Sequence, residues 1–357
     1  MATQNDSLSM SIFEILQREA GKDTLLIANA LLQENPIISM LPHVKGNEKL
    51  GNITATYKSL GKPGRGRFNN GYQKSISEVA QMKDGISWIQ DQLDIDTNLA
   101  KIMNNRSMQI EQEINAKKER INQDMTNDII YGGGSLDYML GVSNRLNSTG
   151  IRTVKSAGGT AQVNANGGTN LVSFYCFTPG IDSMHAFYPE AFPGGFNYTV
   201  LGTNVAVTDI NSGLIKVREL HNIDWFLGIS MPNVLRNARI CNIDVTTLNA
   251  YGARLSAGSA IAGSGPDLGD LMIDTAAQMQ NLSDAKRFWA LPRVGIRFLS
   301  RQNRKADNMF ITETVTEDGQ IVRRFDGLRV ELCEQLGNAQ TSATTGDYIN
   351  YSEAQVS

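Results

Sequence analysis

Few residues of this chain are spaced for chemistry. His185 lies near Asp182 and Glu190, a set that would suit a metal ion or an acid–base pair. No second histidine stands at ligand spacing, and a site needs converging groups, so a loop or surface histidine is the favoured reading. Cys176 sits in the run Phe174-Tyr175-Cys176-Phe177 and reads as a buried apolar thiol rather than a nucleophile. Cys176, Cys241 and Cys333 are far apart, odd in number and without CxxC spacing, which argues against a disulfide framework or a zinc site. No GxSxG elbow is present. Gly61–Arg67 is glycine-rich but lacks GxxxxGK[ST], so it reads as a mobile contact tip rather than a phosphate cradle. Gly132-Gly133-Gly134 lacks a GxGxxG context and reads as a helix stop. No catalytic, cofactor-binding or metal residue is assigned, and the chain is read as not an enzyme.

Charge patterning points to surfaces instead. Lys49, Lys58, Lys62, Arg65, Arg67 and Lys74 are six basic residues in a stretch with no acidic one. Arg293, Arg297 and Arg301 recur at i,i+4, with Arg304 and Lys305 following. On a helix they share one face, where like charges are mildly destabilising unless opposed. A solvated face is the favoured reading, and an acidic patch on a neighbouring subunit is the alternative.

The elements that carry these residues follow from periodicity. Leu8, Ile12, Ile15, Leu16, then Leu25, Leu26, Leu31 and Leu32 predict two short helices over 8–34, broken at Gly21 and Asp23 and ended by Asn35-Pro36. Leu41-Pro42 opens an extended stretch. Ile53, Ala55 and Tyr57 alternate with Thr54, Thr56 and Lys58 as a strand, and a second arm returns from Gly71. The result is a long two-stranded flap, and an isolated hairpin is marginal in water, so the flap is expected to rest on something outside its own domain. Residues 97–130 predict one uninterrupted helix of roughly 50 Å, capped by Asp96 and supported by a Glu113/Lys117 pair. Downstream, strands are expected at Asn170–Thr178, Asn204–Asp209, Leu214–Leu220, Trp225–Met231, Val234–Asp244, Phe288–Leu291 and Leu328–Cys333. Helices are expected after Pro266 and Pro292, and a hairpin around Asp318-Gly319.

Composition sets the outer bounds. The chain has 357 residues, 41% hydrophobic and 19% charged, which is globular. Its formal net charge of −3 disfavours a dedicated nucleic-acid binder. It has no apolar run long enough to span a membrane, and no basic n-region of a signal peptide.

The order of short helices, basic flap, long helix and mixed β resembles the major capsid proteins of tailed bacteriophages with the Hong Kong 97-type fold. The resemblance is carried by Asn35-Pro36-Ile37, Leu41-Pro42, Gly46-Asn47, Thr54–Pro63, Arg67-Phe68-Asn69-Asn70-Gly71, Gln81 and Leu93-Asp94-Ile95-Asp96. It continues through Arg106, Ile130-Tyr131-Gly132, Tyr188-Pro189, Gly228, Arg239-Ile240-Cys241-Asn242-Ile243-Asp244 and Phe325-Asp326-Gly327-Leu328. It spans about residues 12–335; the tip Gly64-Arg65-Gly66-Arg67 is more basic than the typical arm, and the tail after Leu336 has no counterpart.

The resemblance implies an α+β fold with an N-terminal arm (1–47), an E-loop (48–80), and a P-domain (81–150) carrying a spine helix at about 97–130. It further implies mixed β of an A-domain (151–216), a return to the P-domain sheet (217–246), the rest of the A-domain (247–336) and a polar tail (337–357). Lys58, Lys62, Arg65, Arg67, Lys74, Arg293, Arg297 and Arg301 are the expected inter-subunit contacts. The implied function is self-assembly into an icosahedral head shell around packaged double-stranded DNA, without sequence-specific DNA contact. The implied partners are other copies as hexamers and pentamers, a scaffolding protein, a portal and a decoration protein, with assembly in the bacterial cytoplasm and no membrane. Only MATQNDSLSM precedes the family-like pattern, so scaffolding is expected from a separate chain. An encapsulin-like nanocompartment holding a protein cargo is the alternative reading.

Overall fold

The computed structural model describes residues 35–66, 68, 71, 74–134, 139–146, 153–155, 171–209, 213, 215–244, 268–280, 286–303, 311–315 and 321–336, with the pairs 3–4, 19–20 and 23–24. Among them no helix is long and apolar enough to cross a membrane.

The chain opens with three two-residue strands, β1 (Thr3–Gln4), β2 (Glu19–Ala20) and β3 (Asp23–Thr24). β2 and β3 pair antiparallel inside the stretch predicted to be helical. The rest of 8–34 lies outside the described residues. Pro36, read from sequence as a helix end, also opens a helix: it is the N-cap of α1 (Ile37–Met40), where its missing N–H costs nothing. β4 (His43–Lys45), β5 (Gly51–Ser59) and β6 (Glu78–Asp96) follow.

The long predicted helix is two helices, α2 (Thr97–Ile102) and α3 (Arg106–Tyr131). Met103 is extended and Asn105 takes φ 45°, a left-handed conformation that asparagine tolerates better than most residues. That is why a search for proline and glycine does not find the break. Asp96 caps α2 as expected, accepting from the Asn98 N–H at 2.8 Å and the Leu99 N–H at 3.3 Å. Lys117 bonds Asp91 at 2.8 Å instead of serving the expected Glu113 pair. Ile121, Met125 and Ile129 are buried, whereas Ile102 is exposed on the short helix. Gly132 ends α3, donating to Asp128 O at 2.9 Å. A Cβ there would stand 2.3 Å from Met139 O, so no other residue fits.

α4 (Val142–Arg145), β7 (Thr153–Lys155), β8 (Leu171–Phe177), β9 (His185–Tyr188), β10 (Phe196–Asp209) and β11 (Ile215–Ser230) come next. A 3-10 turn at Val234–Arg236 leads into β12 (Ala238–Asp244), so only the second part of the predicted Val234–Asp244 strand is extended. The C-terminal elements are α5 (Leu268–Gln278), β13 (Phe288–Leu291), α6 (Arg293–Asn303), β14 (Ile311–Val315), β15 (Ile321–Phe325) and β16 (Leu328–Leu332).

The chain divides into two units, and β6, α3 and β11 each run from one into the other. The first unit holds residues 1–32, 87–125 and 191–227. In it β10 pairs antiparallel with β11, from Phe196↔Trp225 to Thr208↔Ile215. Sequence reading splits this hairpin into three strands because His221, Asn222 and Asp224 look like a turn. Each is instead paired within the strand layer. Tyr198 Oη lies 2.7 Å from His221 Nδ1, Gln92 donates to Asn222 at 2.7 Å, and Trp88 Nε1 donates to Asp224 at 3.2 Å. Trp88 and Phe192 both stack on Phe226.

The second unit holds residues 33–86, 126–190 and 228–357. Its sheet runs β14-β15-β16-β13-β8-β12-β7. β8 is central, and all seven of its residues are buried, as a strand covered on both faces requires. Met272, Ala276 and Met279 of the α5 region and Phe298 and Leu299 of α6 pack with Phe174, Ile240 and Trp289 into one core. Asp326 (φ 47°) and Gly327 (φ 76°) make the two-residue turn between β15 and β16, the geometry Asp-Gly favours. The predicted Asp-Gly turn, Asp318-Gly319, lies outside the described residues, although the strands that flank it pair as expected.

Candidate functional site

The residues singled out for chemistry are separated by the fold. His185 is buried on β9, with its Nε2 3.5 Å from Asn52 Nδ2. Burial holds its pKa below the usual histidine range, against the opposing pull of the Ile181 carbonyl, Asp84 and Asp182. Glu190 turns away to an exposed pair with Lys45 at 2.5 Å. Cys176 is buried in β8, and desolvation pushes its thiol up to about 12, far from the reactive range. Its burial agrees with the sequence reading; that of His185 corrects the loop or surface reading.

Arg293, Arg297 and Arg301 lie on α6 as expected. Arg293 and Arg297 are on its exposed side, and Arg293 forms an ion pair with Glu334 of its own chain. Arg301 occupies the last turn of the helix.

The flap is the arrangement that stands apart. β5 pairs antiparallel with the first eight residues of the 19-residue β6, from Gly51↔Gly85 to Ser59↔Glu78. The returning arm is a strand only from Glu78, later than the Gly71 expected, and Lys74 and Ile76 precede it. Lys58, Lys62, Arg65 and Lys74 are all exposed, and among the described residues Lys58 makes only a long, exposed pair with Glu78 at 3.6 Å. Arg67 lies outside the described residues.

Interleaved with these charges are large apolar side chains whose exposure the sequence does not announce. Tyr57, Leu60, Phe68, Ile76 and Val79 are exposed, Ile76 at 91%. Each such side chain forgoes about 1.5–3 kcal/mol of burial while it stays in water. A patch of this kind, rimmed by charge, marks a surface made to be covered. Alternation places Tyr57 and Ile76 on extended arms, while Leu60 and Phe68 fall in a glycine-rich stretch that reads as loop, and neither pattern tells whether a side chain is covered.

The base of the flap is held firmly. Asp84 on β6 bonds Arg145 at 2.7 Å and accepts from Ser230 Oγ at 2.7 Å, all three buried. Lys83 pairs with Glu48 at 2.6 Å. A Cβ on Gly228 would come within 2.4 Å of Phe187, so the strand passes there only as glycine. A rigid root with an apolar, basic, uncovered end can present one surface repeatedly to identical partners.

Comparison with known proteins fits this geometry. A family model described as Major capsid protein GP7 matches residues 19–344. No curated protein matches the chain. Among solved structures, a chain of bacteriophage Epsilon15 is similar at TM-score 0.66 and 19% identity, covering 92% of this chain and 96% of that one. The SrpI encapsulin of Synechococcus elongatus PCC 7942 is similar at TM-score 0.41 and 12% identity, covering 67% of this chain and 98% of that one. A chain of Mycobacterium phage Adephagia gives TM-score 0.42 and 9% identity, over 63% and 92% of the two chains. The expected α+β, Hong Kong 97-type fold is thereby borne out, and the chain belongs to the Major capsid protein GP7 family of tailed-bacteriophage shell proteins.

Proposed function

We propose that this major capsid protein closes its shell by laying the flap of each subunit across a neighbour in the same or an adjoining hexamer or pentamer. The observation that supports this is the exposed set Tyr57, Leu60, Phe68 and Ile76 among Lys58, Lys62, Arg65 and Lys74. The apolar side chains supply the drive for burial, and the charges select register and partner. Arg67 belongs to the same tip by sequence and is assigned the same role. Arg293, Arg297 and Arg301 form a secondary contact surface in this reading.

The E-loop is then residues 48–80. In sequence terms the P-domain is 81–150 with the return at 217–246, so that it holds α2, α3 and, of the β10–β11 layer, only β11. The A-domain is 151–216 with 247–336, which carry β8, β10, β13, α5 and α6. The shell encloses double-stranded DNA without sequence-specific contact. It is built in the bacterial cytoplasm with a separate scaffolding protein, a portal and, on some shells, a decoration protein. The chain's work is structural, not catalytic.

Hydrogen exchange tests the flap. Amides of 60–77 are expected to exchange fast in free subunits and slowly in shells. Equal exchange in both states would contradict the proposal.

A further inference from the structure

One edge of β5 is unfinished. β5 is the terminal strand of its sheet, paired with β6 on one side and with no strand on the other among the described residues. At Ile53 the open side is plugged. The Asn47 carboxamide donates to Ile53 O at 2.7 Å and accepts from the Ile53 N–H at 2.7 Å, as a neighbouring strand would. Outward-facing backbone groups recur at every second residue, so Ala55 and Tyr57 present theirs to the same side. Along this edge runs a groove of about 780 Å³ whose lining includes Ala55, Tyr57, Ile181 and Leu235. Ile181 and Leu235 are exposed there, and Thr54 Oγ1, in the same groove, is buried without a hydrogen-bond partner. The lining is mixed, with Lys45, Asp182 and Asn233 beside these apolar side chains, and an edge strand beside such a groove is the setting for strand addition.

The sequence contains a segment of matching chemistry. Residues 337–357 carry Asp347 and Glu353 and no lysine or arginine, whereas Lys49–Lys74 carries six basic residues and no acidic one. Between the two acids lies Tyr348-Ile349-Asn350-Tyr351, rich in strand-forming types. The family match ends at residue 344, so this segment lies beyond the part shared with the family. It follows Leu336, which is buried in the same unit as β5. The stretch from Leu336 to Ile349 can span about 45 Å when extended, a reach that suits a neighbouring subunit.

We propose that the Ala55–Ser59 edge of β5 is a strand-addition site and that its occupant is the acidic segment Asp347–Glu353 of a neighbouring copy. The proposal rests on the shell reading and adds a strap to it. Backbone hydrogen bonds to Ala55 and Tyr57 supply the register. Ile349 or Tyr351 enters the groove against Ile181 and Leu235, and the two carboxylates face the basic flap.

Disulfide trapping in assembled particles tests it. Tyr57→Cys is combined in turn with Tyr348→Cys, Ile349→Cys and Asn350→Cys, and the particles are oxidised mildly. At least one pairing is expected to give a ladder of covalently joined chains on a non-reducing gel, while each single variant stays monomeric. Links within one chain only, or no link in any pairing, overturn the proposal and leave the shell reading intact. Failure of the unsubstituted chain to form particles would instead contradict the shell reading. A second arm does not depend on the cysteine variants assembling. A labelled peptide of residues 345–357 is titrated onto the chain ended at Thr344, assembled or free. Saturable binding is expected, weakened about tenfold by Asp347→Lys with Glu353→Lys in the peptide. No binding, or binding indifferent to the charge reversal, overturns the proposal.

Discussion

Asp84 and Arg145 form a buried ion pair at 2.7 Å, 4% and 6% exposed, between the flap's returning strand and the helix that follows the spine. Arg145 also donates to Leu140 O at 2.9 Å and Ile229 O at 3.2 Å, so the guanidinium satisfies three parts of the chain at once. Removing one partner strands the other charge without water. Arg145→Ala is expected to lower unfolding free energy by about 3–5 kcal/mol. Arg145→Lys should recover only part, because a single ammonium cannot reproduce the fork. Denaturant unfolding of the subunit checks this, and a loss within about 0.5 kcal/mol would contradict it.

The flap predicts the opposite pattern, with folding kept and assembly lost. Lys62→Glu with Arg65→Glu changes two exposed side chains away from the core. Subunit stability is expected to move by no more than about 0.5 kcal/mol. Each lost charge contact across an interface costs roughly 2–5 kcal/mol, repeated around the shell, so particle yield should collapse. Arg65→Glu with Arg67→Glu should behave alike. Sedimentation of the lysate separates the outcomes, and normal particle yield would count against the flap's role.

The thiols should be silent in the native chain. Burial pushes Cys176 and Cys333 to about 12, and Cys241 is also buried and in no disulfide. At pH 8 an aromatic disulfide reagent is expected to modify none of the three in native protein and all three after unfolding, when thiols return to about 8.5. Fast native labelling of any one would contradict the assignment of these cysteines to the core.

His185 gives a pH signature. Its folded pKa lies below the unfolded value, so the unfolded chain binds the proton more readily. Stability is therefore full above about pH 6.5 and falls as pH drops from there through the depressed folded value. His185→Gln should flatten that part of the curve, whatever it does to stability at pH 8. Unfolding free energy measured at several pH values checks the slope, and an unchanged slope in the variant would rule His185 out as its source.

Much of this architecture was legible because its signals are local. The Asp96 cap, the Gly132 stop, the all-apolar run of β8 and the alternation of β5 each follow from a few adjacent residues. Two of the misses share a cause: the deciding partner is distant in sequence. His221, Asn222 and Asp224 look like a turn until Tyr198, Gln92 and Trp88 are beside them. Lys117 looks paired with Glu113 until Asp91 arrives. Asn105 breaks the spine by a conformation that residue type permits but does not announce. At the candidate site the basic residues were visible and the exposure of the apolar ones was not. Phe68 falls in a glycine-rich stretch without periodicity, and the alternation that places Tyr57 and Ile76 on extended arms does not tell that their side chains are exposed.

The account stands or falls on where residues 60–77 lie in an assembled particle. Electron cryomicroscopy of purified particles at a resolution that traces the chain measures this directly. The predicted result is an icosahedral shell of this protein in which Leu60, Phe68 and Ile76 are covered by a neighbouring subunit. Particles that lack the chain, or a shell in which 60–77 touches only its own subunit, would contradict it.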